Sequence, residues 1–214
     1  MLGGGVGVVV WLLCGLLVFV SGCTRPLLGM RGVHVKSMDQ AVELSPHLRT
    51  IGYRAIDEST ADIYLSDIPL DRLAATDSLD DLTGSIIELH MFVNPKPGKT
   101  PIETTASSVT IRQVILAGGQ IGLYGGGGFL FPNGSPGDTS FGGRIKHGSV
   151  RLLAATAGFR DRLGAAEFDA GVMARKDAAA TAIMSHVFKS AVHVATQRRS
   201  ASSQLPEPAA AGEP

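Results

Sequence analysis

The chain is short of charged residues and of cysteine, and each shortage excludes a class of protein. Charged side chains make up 18% of the 214 residues, which is below the roughly 25% typical of soluble domains. The 19 lysines and arginines equal the 19 aspartates and glutamates, which argues against a nucleic-acid binder that neutralises phosphates. Two cysteines are too few for a disulfide-dense scaffold or for a zinc site built from several thiolates.

The common catalytic and metal-binding motifs are missing as well. The six histidines include no HxH, HxxxH or HExxH spacing, so we expect no metal site. The stretch Gly118–Phe129 contains neither GxGxxG nor a P-loop motif, and no basic residue lies within it to meet a phosphate. The stretch Asn133–Asp138 approaches the GxSxG nucleophile elbow, but Pro136 has no N–H to donate to an oxyanion. The sequence therefore predicts no catalytic residue, no cofactor and a protein that is not an enzyme.

The N-terminus is uncharged and strongly apolar. No charged side chain occurs between Met1 and Cys23, and Val6–Val20 is almost wholly apolar. An apolar stretch of about 15 residues that ends in small residues is typical of a secretory signal peptide. The alternative is a single transmembrane helix, since the uncharged stretch approaches the roughly 20 residues that a span needs. Several glycines within the stretch weaken that alternative.

The tetrapeptide Val20-Ser21-Gly22-Cys23 closes this apolar stretch. It resembles the lipobox of bacterial lipoproteins, in which an aliphatic residue and two small residues precede an invariant cysteine. The resemblance implies a diacylglycerol on the Cys23 thiol and cleavage by a signal peptidase between Gly22 and Cys23. It also implies two or three acyl chains, because a single chain holds a protein only marginally. Many lipoproteins retained at the inner membrane have aspartate where this chain has Thr24, so the resemblance favours the outer membrane where one exists.

The termini divide the chain into segments. We predict a signal peptide over residues 1–22 and a lipid-anchored tether over residues 23–36, in which Pro26, Gly29 and Gly32 break regular structure. Residues 197–214 contain three prolines and no apolar periodicity, so we expect a disordered tail. Cleavage would remove Cys14 and leave Cys23 as the only thiol, in lipidated form, so we expect no disulfide and no cysteine nucleophile.

Residues 37–196 are long enough for one self-sufficient domain, since a domain of this size buries close to about 70% of its unfolded surface. Apolar and polar residues alternate in several short segments, including Ile86–Val93 and Ser108–Ala117. About six such strands, joined by loops rich in Gly, Pro and Asn, predict a mainly β, α+β protein built as an antiparallel β-sandwich. Within the first segment, Glu88 and His90 fall on the face away from the apolar side chains.

Helices are predicted at three places. Residues 177–196 have apolar side chains at helical spacing behind Asp177, a suitable N-cap, so we expect an amphipathic helix packed on the sandwich. Ser37 is placed to cap a short helix over Asp39–His47. The stretch Ile68–Ala74 is typical of a turn into a short helix.

Loop residues are the candidates for binding. Gly125–Gly128 predict a bend or flexible tip between two strands, and Asn133–Asp138 predict a polar turn. We expect a partner to contact Gly125, Gly126, Gly127, Gly128, Asn133, Gly134 and Asp138. One group of carboxylates is interpreted as solvated loop and helix-cap residues: Asp57, Glu58, Asp67, Asp71, Asp77, Asp80 and Asp81.

Location and missing motifs together predict a non-enzymatic envelope lipoprotein, a binding or structural module tethered through Cys23 and facing the periplasm or the exterior. Tethering would raise the concentration of the module near membrane partners. The expected partners are the membrane and another envelope protein, without nucleic acid. Two alternatives stay open. A periplasmic hydrolase acting on envelope polymers would need an acid–base pair in a cleft, and a carrier of an apolar ligand would need a cavity within the sandwich.

Overall fold

A computed structural model describes residues 32–94 and 107–202 of the chain. The predicted signal peptide, the cleavage site at Gly22 and the lipidation site Cys23 lie outside the described residues. So do the first part of the tether and the tail beyond residue 202.

Nine β-strands, two α-helices and one 3-10 turn occur in the described part of the chain. The strands are β1 (Gly32–Ser37), β2 (Glu43–Leu44), β3 (Thr50–Ala55), β4 (Ala61–Ser66), β5 (Thr83–Met91), β6 (Val109–Ala117), β7 (Gln120–Asn133), β8 (Ser140–Ala155) and β9 (Ala166–Lys176). The helices are α1 (Leu70–Ala74) and α2 (Ala178–Ser202), and the 3-10 turn spans Leu79–Asp81. Helix α1 confirms the short helix expected after Ile68.

All nine strands belong to one sheet, in the order β2-β1-β9-β3-β4-β5-β6-β7-β8, and β9 pairs with β8 as well. One edge of β9 pairs with β8 along most of its length, while the other edge pairs first with β1 and then with β3. The sheet therefore closes on itself through β9. Only the short β3–β9 pairing is parallel among the described strands. The mainly β, α+β class is confirmed, although the strands number nine rather than six and join in a single closed sheet.

The interior of the closed sheet is filled with side chains. Alternation along the strands directs one set of residues inward, where Tyr53, Phe141 and Phe168 are completely buried. The rings of Tyr53 and Phe141 lie 5.6 Å apart between centroids. Because each large apolar side chain that is fully buried contributes about 1.5–3 kcal/mol, this core can stabilise the domain without any disulfide.

Helix α2 covers part of the outer face and forms a second core there. The Asp177 carboxylate accepts a hydrogen bond from the Ala180 N–H at 2.9 Å, which confirms the predicted N-cap. Met184 and Phe188 are buried against the sheet. The helix continues to Ser202, past the predicted end at residue 196 and into the segment expected to be disordered. Neither helix in the described part of the chain is long and apolar enough to cross a bilayer.

The predicted helix over Asp39–His47 is wrong. The Ser37 hydroxyl accepts hydrogen bonds from the N–H groups of Asp39 and Gln40, at 3.3 and 3.0 Å. These bonds satisfy the first amides as an N-cap does, but the chain then forms β2, which pairs with β1. A serine that caps a turn is therefore no proof of a helix, because the same bonds serve non-helical backbone. Strand β1 also begins at Gly32, so the tether is shorter than the predicted 23–36.

Candidate functional site

The glycine run Gly125–Gly128 lies inside β7, so the expected bend or flexible tip is wrong. The run pairs with β6 on one side and with β8 on the other. A Cβ at Gly126 would lie far inside the 3.0 Å that real Cβ atoms keep from other heavy atoms, against the Ser149 carbonyl oxygen. The register with β8 shifts at the end of the run, as at a bulge where two backbones approach closely. Gly126 is therefore needed for strand packing, and the run does not form a tip between two strands.

The predicted polar turn Asn133–Asp138 is confirmed, and it joins β7 to β8 at one end of the closed sheet. The Asp138 carboxylate accepts a hydrogen bond from the Ser135 N–H at 2.8 Å. From inside the core, the Tyr53 hydroxyl donates a hydrogen bond to the Asp138 carbonyl. Gly137 has φ +104°, which favours glycine. The turn is exposed and held by these bonds, and its contact with a partner stays a prediction.

A first row of charged side chains crosses the outer face of the sheet beside α2. Asp62 on β4 stands between Arg54 on β3 and His90 on β5. One Asp62 oxygen accepts a hydrogen bond from Arg54 Nη2 at 2.7 Å, and the other lies 2.6 Å from His90 Nδ1. The Asp62 side chain is only 5% exposed. The hydrogen bond that Arg54 donates to the Asp62 carboxylate raises the pKa of Arg54.

A second row runs beside the first and reaches α2. The Tyr64 hydroxyl donates to Glu88 Oε1 at 2.7 Å and lies 3.2 Å from the Ser185 hydroxyl on α2. Arg112 forms an ion pair with the other Glu88 oxygen, and its guanidinium carbon lies 5.3 Å from the centre of the Phe188 ring. Burial is the main cause that raises the pKa of Tyr64 above its usual value, so this hydroxyl remains a donor.

Both buried carboxylates are fully engaged. The oxygens of Asp62 face Arg54 and His90, and those of Glu88 face Tyr64 and Arg112. A glycosidase needs one carboxyl group to protonate the leaving oxygen and a second to face the sugar, and neither group here is free for that work. His90 differs, because Asp62 orients its ring while 38% of the side chain is exposed. That arrangement is half of a proton-transfer pair.

Two of the carboxylates interpreted as loop residues, Asp57 and Asp67, accept hydrogen bonds from backbone N–H groups. Asp57 accepts hydrogen bonds from the N–H groups of Ser59 and Thr60 at 2.7 and 2.8 Å. The bond from the Ser59 backbone is the largest cause that lowers the pKa of Asp57. Asp67 accepts from the Ser85 N–H at 2.6 Å. In the described ranges, no three His, Cys, Asp or Glu side chains are grouped to hold a metal ion.

One end of the sheet interior is polar, which the sequence did not indicate. Gln113 is completely buried, and neither atom of its amide has a hydrogen-bond partner within the described structure. On the neighbouring strand, the Tyr124 hydroxyl donates to Asp161 at 2.6 Å. The loop that carries Asp161 also inserts Phe159, whose ring lies 6.4 Å from that of Tyr124 between centroids. The 156–165 loop therefore closes this end of the sheet.

The chain matches no protein-family model, and no curated protein or solved structure is detectably similar to it. The described domain begins at Gly32, nine residues after Cys23. Nine extended residues span at most about 30 Å. Any group attached to Cys23 would therefore stay close to the start of β1.

Proposed function

We propose that this chain is a non-enzymatic lipoprotein of the bacterial cell envelope, which tethers a β-rich binding module to the membrane through Cys23. The observation that carries the proposal is the lipobox-like Val20-Ser21-Gly22-Cys23 directly after an apolar stretch. The short distance from Cys23 to Gly32 fits an anchor that keeps the domain beside the bilayer. Thr24 after the cysteine favours the outer membrane, and the domain would face the periplasm or the exterior.

Packing of the domain supports a binding role over a carrier role. Tyr53, Phe141 and Phe168 fill the space that an apolar ligand would need. A module with a filled core recognises partners through its surface. The turn Asn133–Asp138 is the exposed element for which we expect contact with another envelope protein.

Lipidation is tested by growing cells with an alkyne-bearing fatty acid and determining the N-terminus of the purified protein. The wild-type chain should carry the label and begin at Cys23, whereas Cys23→Ser should lose the label and keep residues 1–22. Cys14→Ser is the matched control and should behave as wild type. An unlabelled wild-type chain that begins at Met1 would replace the lipid anchor with the transmembrane alternative.

Partner binding is tested with a photo-crosslinking amino acid at Asp138 in living cells, followed by mass spectrometry. A discrete envelope protein captured from this position would support the binding module. Asp80 in the 3-10 turn is the matched control. It is exposed, and it lies beside Gly119, which precedes β7 at the end of that strand opposite to Asn133. Capture of the same proteins from both positions would count against a specific partner at the turn.

A periplasmic hydrolase of envelope polymers is the second candidate, and the Asp62–His90 pair favours it. Purified protein would be incubated with cell-wall polymers, and released fragments would be counted for wild type and for His90→Asn. Release by wild type that His90→Asn abolishes would support the hydrolase. Equal release of fragments by both chains, or no release by either, would exclude a hydrolase that uses the Asp62–His90 pair.

A further inference from the structure

We propose that the outer face of β7, β8 and β9 is the surface on which this domain lies against an anionic phospholipid bilayer. Five side chains define this surface, which we call the basic–apolar face: Phe131, Arg144, Lys146, Met173 and Arg175. The orientation rests on the lipid anchor proposed above, whereas the attraction to anionic lipid rests on the face itself.

The five side chains occupy neighbouring positions on paired strands. Phe131 on β7 pairs with Arg144 on β8. Met173 on β9 pairs with Gly142 on β8, and Arg175, two residues further along β9, pairs with Ser140. Their chain neighbours, which include Leu130, Ile145, Val172 and Ala174, point into the core. Because successive side chains on a strand point to opposite faces, all five members of the basic–apolar face point outward.

The face combines exposed apolar groups with exposed cations. Phe131 and Met173 are 44% and 42% exposed. Arg144, Lys146 and Arg175 are exposed, and none forms an ion pair with an acidic side chain of the described residues. The acidic residues of β9 are Glu167 and Asp169. Asp169 accepts a hydrogen bond from the His147 backbone N–H, and Glu167 lies 2.6 Å from His147 Nδ1. Cations around exposed apolar side chains complement an anionic lipid surface.

The anchor enters the domain at the edge of this face. Gly32 pairs with Gly171, which pairs with Arg144, which pairs with Phe131. These four residues form one row across β1, β9, β8 and β7. The nine residues before Gly32 reach at most about 30 Å, so acyl chains on Cys23 would hold the face near the bilayer. The location of the tether therefore selects the bilayer as the occupant of the face.

Tryptophan quenching tests the face on the full lipidated chain. The only tryptophan is Trp11, which cleavage before Cys23 would remove, so Phe131→Trp gives the lipidated chain a single reporter on the face. The protein is reconstituted with brominated phosphatidylcholine vesicles, with or without 30% brominated phosphatidylglycerol. We expect strong quenching in the anionic vesicles and weaker quenching in the neutral ones. Met38→Trp is the matched control, exposed outside the face, and should be quenched little in either lipid.

Charge reversal separates the face from the anchor. Arg144→Glu, Lys146→Glu and Arg175→Glu together should abolish quenching of the reporter while the acyl chains keep the protein on the vesicles. Each cation near an anionic surface contributes about a fivefold change in binding. Among chains without acyl groups, the charge-reversed variant should therefore bind vesicles at least about a hundredfold more weakly than the wild type. If the wild-type chain proved to carry no acyl group and the Phe131→Trp reporter were still quenched in anionic vesicles, the anchor would be overturned but not the face.

Equal quenching at positions 131 and 38, or quenching that the charge reversal leaves unchanged, would overturn the face. Absence of quenching in anionic vesicles, with a protein crosslinked from position 131 in cells, would replace the bilayer with a protein partner.

Discussion

Alanine at position 126 would place a methyl group where the backbone of β8 already lies. Its Cβ would press against the Ser149 carbonyl oxygen and stand 3.0 Å from the Val150 Cα. These are backbone atoms, so no side-chain rotation relieves the clash, and β7 and β8 must move apart. Overpacking by one carbon costs about 1–3 kcal/mol, and each weakened ladder hydrogen bond adds about 1 kcal/mol. We therefore expect Gly126→Ala to lower the free energy of unfolding by about 3–4 kcal/mol.

Thermal unfolding of the detergent-solubilised protein, followed by far-ultraviolet circular dichroism, measures this loss. A domain of this size loses about 2–4 °C in Tm per kcal/mol, so Tm should fall by about 10 °C. Gly127→Ala is the matched control and should cost less, because its Cβ would meet the Ser107 hydroxyl at 2.8 Å and would reach a backbone atom, the Val109 carbonyl oxygen, only at 3.3 Å. In a flexible tip, alanine would be neutral or would stabilise by up to about 1 kcal/mol. Equal and near-zero changes at both positions would refute the strand packing described for this run.

Three further predictions concern the core and the helix. Gln113→Met removes the unpartnered amide and should raise the free energy of unfolding by about 1–2 kcal/mol in urea titrations, whereas a loss would reveal a partner for the amide. Although burial alone would raise the pKa of Asp161, the hydrogen bonds from Tyr124 and two backbone N–H groups hold it below its ordinary value. Its stabilisation is therefore present above about pH 4 and is lost as the pH falls through the lowered pKa, so Asp161→Asn should flatten the acid limb of Tm against pH. Asp177→Ala should cost about 1 kcal/mol in unfolding experiments by removing the cap of α2, and Asp177→Asn should retain most of it.

Local periodicity predicted the elements that present one face to a core. Strands β5 and β6 fall within a few residues of the alternating segments, and α2 begins directly after the predicted cap Asp177. The turn Asn133–Asp138 follows from its residue types. These features depend on neighbours along the chain, which a sequence pattern records directly.

Closure of the sheet depends on residues far apart, and no local pattern records it. Gly32 on β1 pairs with Gly171 on β9, and β9 has three strands as neighbours. The conformation of the glycine run also depends on residues that are distant in the sequence. Alone, four glycines indicate conformational freedom, but the close backbone of Ser149 makes them a packing requirement.

The sequence did not predict that Asp62 and Glu88 are buried. Asp62 and Glu88 both occupy strand positions with polar residues facing outward, which normally indicates solvent. Burial follows because α2 lies beside this face, with Ser185 meeting Tyr64 and Phe188 meeting Arg112. A charged residue in a strand is thus ambiguous until the partner of its face is known, since pairing lets carboxylates be buried.

The same long-range pairing links the start of β1, where the proposed anchor would enter, to the basic–apolar face. Arg144 and Met173 become neighbours because β8 pairs with β9, and Gly32 joins them because β1 takes the other edge of β9. A freely diffusing domain would gain little from three cations and two exposed apolar side chains. With the proposed tether of nine residues, the effective concentration of the face at the bilayer would be of millimolar order. Weak contacts would then suffice to orient the domain, because the proposed anchor would already have met most of the entropy cost of association. Such a face needs no deep insertion and no large apolar patch, which fits the modest exposure of Phe131 and Met173.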